Sequence, residues 1–110
     1  MRISSYNCRS VKANVHCVRD LCSMSDIVCL QETWLPVQEM GYLGTIDKEF
    51  SFFGSSPVDL SKQLLVGRPF GGIAFLYRKS LAAHITRIQT SDDRFICTDI
   101  TVNSQRFCII

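Results

Sequence analysis

The spacing of apolar and polar residues changes several times along this chain, and each change marks an element. Ile3 to Asn7 reads as a short strand with weak alternation. From Asn14 onward, Val15, Val18, Leu21 and Cys22 fall on one face at helical spacing, with Asn14 placed as the cap. Ser23-Met24-Ser25 frays that helix. Asp26 then leads into Ile27-Val28-Cys29-Leu30, an unbroken apolar run. Such a run suits a strand covered on both faces, although pattern alone also allows a buried helical segment. Strand, helix, strand opens a layered α/β or α+β domain.

Leu35-Pro36 closes this unit. Thr33 to Phe50 is mixed in character and predicts loop or short helix. Phe50 to Gly54 predicts a strand, and the polar stretch Ser55 to Arg68 a surface excursion. Gly71-Gly72 punctuates the backbone ahead of Ile73 to Tyr77, a strong strand whose poor alternation places it centrally. His84 to Ile88, Arg94 to Val102 and Arg106 to Ile110 predict further strands, the last two joined by a hairpin loop at Asn103-Ser104-Gln105. The final residues, Phe107-Cys108-Ile109-Ile110, are still apolar strand. A naked apolar edge invites aggregation, so the expectation is that these 110 residues are the front part of a longer domain.

Composition narrows the picture only a little. An apolar fraction of 46% supports a packed core and excludes a disordered chain. A net charge of +2, with basic residues scattered rather than clustered, gives no argument of its own for a nucleic-acid partner. No apolar stretch has the length of a membrane span, and the N-terminal MRISSYNCRS has no signal-peptide core. Six cysteines form no C-x-x-C pair, so Cys29, Cys97 and Cys108, inside apolar runs, read as reduced, buried thiols of an intracellular protein. The ligand pairs of a zinc site are missing.

The candidate chemistry lies at two strand ends. Glu32 emerges just past the apolar run 27–30, and Asn7 ends the first strand. In layered α/β folds, sites gather at the C-terminal ends of strands. If the two strands are parallel neighbours, an amide oxygen and a carboxylate oxygen come out side by side, a pair that suits a hard cation such as Mg²⁺. The plainer alternatives are common ones. A glutamate after a strand is more often a solvated loop residue or a helix N-terminal acid, and an asparagine there more often bonds its own backbone in a turn. Gln31 reads as structural and Trp34 as packing. His16 and His84 read as surface or packing residues, Gly71-Gly72 as a turn leading into the strand, and Asp92-Asp93 as a turn.

Taken together, Tyr6-Asn7, the run NCRS at 7–10, DIVCLQETW at 26–34 and RPFGGIAFLYRKSL at 68–81 resemble the endonuclease/exonuclease/phosphatase superfamily. Within it they look most like the apurinic-endonuclease-like domain of non-LTR (LINE-type) retrotransposons, and only its N-terminal part. The resemblance implies an α/β four-layer sandwich of two β-sheets flanked by helices, truncated here to about its first half. It implies Mg²⁺-dependent (or Mn²⁺-dependent) phosphodiester hydrolysis, with DNA as substrate, nicked to prime reverse transcription. It also implies fusion to a reverse transcriptase and action in the nucleus. By motif match, Asn7 carries over as the active-site asparagine and Glu32 as the metal-binding glutamate. The family's catalytic Tyr, its Asp-x-Asn pair and its terminal Asp-His pair lie beyond Ile110, which implies an inactive fragment. Ser10 stands where LINE-type sequences often carry glycine. A phosphatase or sphingomyelinase-like phosphodiesterase of the same superfamily, or a non-catalytic retroelement relic, are the competing readings.

Overall fold

The computed structural model describes residues 1–62, 67, 69–92 and 94–110. Among the described residues, seven strands form two sheets. In the first, β1 (Ile3–Asn7), β2 (Ile27–Gln31), β3 (Phe50–Ser55) and β4 (Ile73–Arg78) lie in the order β1-β2-β4-β3. β1 and β2 are parallel, with Ile3 opposite Ile27 and Asn7 opposite Gln31, and the helix α1 (Val15–Met24) makes the crossover. The other two pairings are antiparallel. In the second sheet, β5 (Ile85–Ile88), β6 (Cys97–Val102) and β7 (Gln105–Ile109) form an antiparallel meander.

The unbroken apolar runs are the strands that are buried on both faces. Successive side chains point to opposite sides of a strand, so β2 and β4 feed two cores at once. Val28, Leu30, Ala74 and Leu76 meet Val18 and Cys22 of α1, together with Leu43 from a 3-10 helix over Val37–Thr45. Ile27, Phe75 and Tyr77 meet Ile85 and Ile100 of the second sheet and Ile96, which leads into β6. Full burial stabilises each such aliphatic side chain by roughly 1.5–3 kcal/mol, and this double use explains why alternation is missing from β2 and β4. The layers run helix, sheet, sheet. This is a mixed α/β fold with two sheets; among the described residues no helix covers the outer face of the second.

Several local expectations need correction. Asn14 precedes α1 but makes no capping bond with its side chain; its amide instead ties down the loop after β1. β6 begins at Cys97 rather than Arg94, and the hairpin loop is only Asn103-Ser104, both at positive φ (52° and 64°), with Gln105 already in β7. A 3-10 helix over Lys79–His84 was not expected. The stretch after β3 is not all surface, because Ser56 and Val58 are buried and the Val37 N–H donates to the Val58 carbonyl at 2.8 Å; residues 63–66 and 68 lie outside the described residues. The cysteines also sort differently. Cys8 and Cys22 are buried, whereas Cys29 and Cys97 are half-buried and Cys108 is exposed, all six being free thiols. Cys108 lies on β7, an edge strand of its sheet, and on a face that no helix covers among the described residues, which the run itself does not reveal.

Candidate active site

Because β1 and β2 run parallel, their C-terminal tips come out at one sheet edge. Asn7 is the last residue of β1 and is exposed, and Glu32 follows the last residue of β2. Backbone bonds stitch the two exits together beyond the strands. Cys8 N–H donates to the Gln31 carbonyl (2.9 Å), Ser10 N–H to that of Glu32 (2.9 Å), and Val11 N–H to that of Thr33 (3.0 Å). The Asn14 side-chain amide donates to the Cys8 carbonyl at 2.7 Å and fixes the turn after Asn7 from the helix side.

The chain leaves β2 through an unusual backbone. Glu32 and Trp34 sit at φ 56° and 55°, the left-handed region that costs a residue with a Cβ roughly 1–2 kcal/mol. The twist turns two amides away from the strand ladder. Thr33 N–H donates to the Gly72 carbonyl (3.1 Å) and Trp34 N–H to that of Gly71 (2.9 Å). This close approach needs glycine at 72, since a Cβ there would lie 2.5 Å from Thr33 Oγ1, and the backbone stands at φ 92°. Gly71-Gly72 is therefore more than a turn leading into β4: it is the third wall of the site.

Trp34 has a polar function as well as a packing one. Its Nε1–H donates to Glu32 Oε2 at 2.8 Å, a charge-assisted bond. Its ring meets Phe70 edge-on, with centroids 4.8 Å apart. The indole thus orients one carboxylate oxygen of Glu32. Glu32 lines a cleft of about 180 Å³ shared with Gly71, Gly72 and Arg94. Trp34 itself lines a separate, wider hollow of about 520 Å³, together with Arg9 and Lys12. Arg94 forks onto Asp92, its Nε 3.0 Å from each carboxylate oxygen, and holds that carboxyl down to about 2; Asp93 lies outside the described residues.

A profile of the Endonuclease/Exonuclease/phosphatase family matches residues 4–110. The chain belongs to that family. Family membership accords with solved structures of the same fold. A 3′ phosphatase, NExo, from Neisseria, bound to a product DNA hairpin, superposes with a TM-score of 0.60 at 17% identity, over 98% of this chain and 40% of its own. The AP endonuclease LMAP from Leishmania major gives 0.63 at 18%, over 96% and 37%. A humanized D. rerio TDP2 gives 0.59 at 20%, over 98% and 47%. This chain thus spans less than half of each. No curated protein sequence matches it closely enough to count as a relative.

Of the residues singled out from sequence, Asn7 and Glu32 share this edge. Gln31 bonds the Ser5 hydroxyl (3.1 Å) and the Cys29 carbonyl (3.4 Å) within the sheet rather than any loop backbone. His16 and His84 are exposed. Sequence reasoning missed the indole bond of Trp34 and the place of Arg94 in the cleft. The tight spacing Glu-Thr-Trp was a usable signal for the first, because a left-handed turn brings residues two apart into side-chain contact. Nothing local signals the second.

Proposed function

We propose that this chain supplies the metal-holding part of a phosphodiester-hydrolysing site that acts on DNA. The observation that carries the reading is the strained exit of β2. Glu32 is held in a left-handed conformation, with one oxygen fixed by an indole, beside the tip of a parallel strand that ends in Asn7. Strain of this kind persists only where the surroundings over-determine it, and it clusters at functional positions.

The donor set fits Mg²⁺ or Mn²⁺. Both candidate ligands are hard oxygens, and Mg²⁺ typically takes one or two carboxylates and fills its shell with water and phosphate. Among the described residues no group of three His, Cys, Asp or Glu could hold a metal, so binding by this chain alone is weak. Glu32 would hold the ion, and Asn7 would orient the carboxylate or meet the phosphate. Once bound, such an ion supplies stabilisation of charge on the phosphate and leaving oxygens. The chain's own part is orientation: the Trp34 N–H keeps Glu32 from rotating, and the Ser10 and Val11 amide bonds hold the Asn7 loop against it. The narrower reading, a DNA-nicking endonuclease of a LINE-type retroelement fused to a reverse transcriptase, is favoured over the phosphatase branch by the GRPFGGIAFLYRKSL run at 67–81.

Trp34, the single tryptophan, reports on the site directly. Titration with paramagnetic Mn²⁺ is expected to quench its fluorescence saturably, with Mg²⁺ competing. Glu32→Gln is expected to weaken the Mn²⁺ affinity at least about tenfold, the loss of about 1.4 kcal/mol of binding. Equal quenching in the variant would overturn the assignment.

A further inference from the structure

We propose that Cys97 and Cys108 form an oxidisable dithiol on the outer face of the second sheet, closed into a reversible disulfide by a small disulfide of the glutathione type. The proposal is independent of the metal site. Cys108 stands opposite Asp99 in the β6–β7 ladder, two residues along from Cys97, so the two thiols are a diagonal pair on one face. Diagonal neighbours in a ladder stand farther apart than directly opposed ones, yet these sulfurs lie 3.4 Å apart in a direct contact. The type of hairpin fixes that register. A two-residue loop with both residues left-handed, Asn103 and Ser104, leaves no slack for slippage.

The surroundings separate this pair from the two cysteines of the core. Cys8 and Cys22 are sealed in the core, and burial pushes both thiols up to about 11, so they stay protonated and inert at neutral pH. Cys108 is exposed and reaches solvent, with the Arg106 guanidinium on the same strand and paired to Asp99. The Cys97 thiol is pushed above its usual range, first by its hydrogen bond to Cys108. Cys108 is therefore the attacking sulfur and Cys97 the resolving one.

The step balances. The Cys108 thiolate attacks one sulfur of glutathione disulfide, forming a mixed disulfide and releasing one glutathione thiolate, which takes a proton from solvent. Cys97 then gives its proton to water and displaces the second glutathione, forming the Cys97–Cys108 bond. The protein dithiol loses two electrons, and one glutathione disulfide becomes two glutathione thiols. Cα atoms across a ladder diagonal stand about 7–8 Å apart, beyond the span of a relaxed disulfide, so closure has to draw β6 and β7 together at this point, and the strained bond is readily reduced again. The closed form staples β7, an outer strand of its sheet, to β6.

The test uses the sequence itself. Trypsin cuts after Arg94 and Arg106, which separates Phe95–Arg106 from Phe107–Ile110. After equilibration of the folded chain in glutathione redox buffer, acid quenching and capping of free thiols, these two peptides are expected to remain joined, with two of the six thiols lost. Excess reduced glutathione is expected to separate them. Cys97→Ser is expected to leave glutathione on Cys108. Accumulation of that adduct in the unaltered chain would overturn the proposal. So would an equal yield of joined peptides in concentrated guanidinium, because proximity in sequence would then account for the pairing without the sheet.

Discussion

At the scale of single residues, the strand-tip loop holds an arrangement that stability alone would not select. Thr33 is 1% exposed, and its hydroxyl has no hydrogen-bond partner among the described residues, although its own amide and carbonyl are both bonded. The hydroxyl is pressed against the backbone at Gly72, where even a methyl group would not fit. An orphaned buried hydroxyl costs about 1–3 kcal/mol, whereas an apolar group of the same shape carries no such penalty. Thr33→Val is therefore expected to raise stability by about 1 kcal/mol, read from the urea midpoint at unchanged slope. A fall in stability would mean that the hydroxyl has a partner after all. The same loop holds Glu32 and Trp34 in left-handed backbone, and besides the two amide bonds to Gly71 and Gly72 what this secures is the fixed carboxylate. Destabilised positions packed around one side chain are what a site that needs a preset ligand requires.

At the scale of elements, Arg78 shows how far apart in sequence the working contacts are. It ends β4, yet its guanidinium closes the C-terminal end of α1. Its terminal nitrogen donates to the Cys22 carbonyl (3.0 Å) and Nε to the Ser25 carbonyl (3.1 Å), Asp26 pairs with it at 3.5 Å, and the Phe50 ring lies beneath. A cation here answers the helix dipole and satisfies carbonyls that a helix end leaves open. Arg78→Ala is expected to cost about 2–3 kcal/mol and to loosen α1 first, seen as early hydrogen exchange of the Val18–Cys22 amides. Arg78→Lys should recover less than half, since one ammonium cannot fork to two carbonyls. No local pattern announces such a clamp. What was legible locally was periodicity: β2 and β4 as unbroken apolar runs, α1 from Val15, Val18, Leu21 and Cys22, and Glu32 at a strand exit. What was not legible came from tertiary pairing. Asn14 forgoes its cap because three carbonyls of the 8–10 turn lie within its reach. Cys108 faces water because no helix covers that face of β7 among the described residues. Trp34 reads as packing until the left-handed turn at Glu32 swings the indole N–H onto the carboxylate.

At the scale of the whole molecule, the two sheets lie face to face and the candidate site occupies one end of the first. Phosphodiester hydrolysis needs an ion to offset charge and also a base to activate water. On the function proposed above, Glu32 and Asn7 would meet the first need in part. For the second, no additional carboxylate or histidine joins Glu32 in a group of three among the described residues. His84 closes the segment after β4, and β4 runs antiparallel to β2, so it lies at the opposite end of the sheet from Glu32. His16 is exposed on α1. Removing either half of a matched acid–base constellation costs several powers of ten in rate. These 110 residues alone are therefore expected to relax supercoiled plasmid in Mg²⁺ no faster than the buffer control, and Glu32→Gln is expected to leave that background unchanged. The metal titration followed by Trp34 keeps this outcome distinct from an absent site, because binding without turnover means that the ligand end is present and the base is not. Plasmid nicking that disappears in Glu32→Gln would instead show that this chain activates water by itself, and would require a base among residues now assigned to solvent.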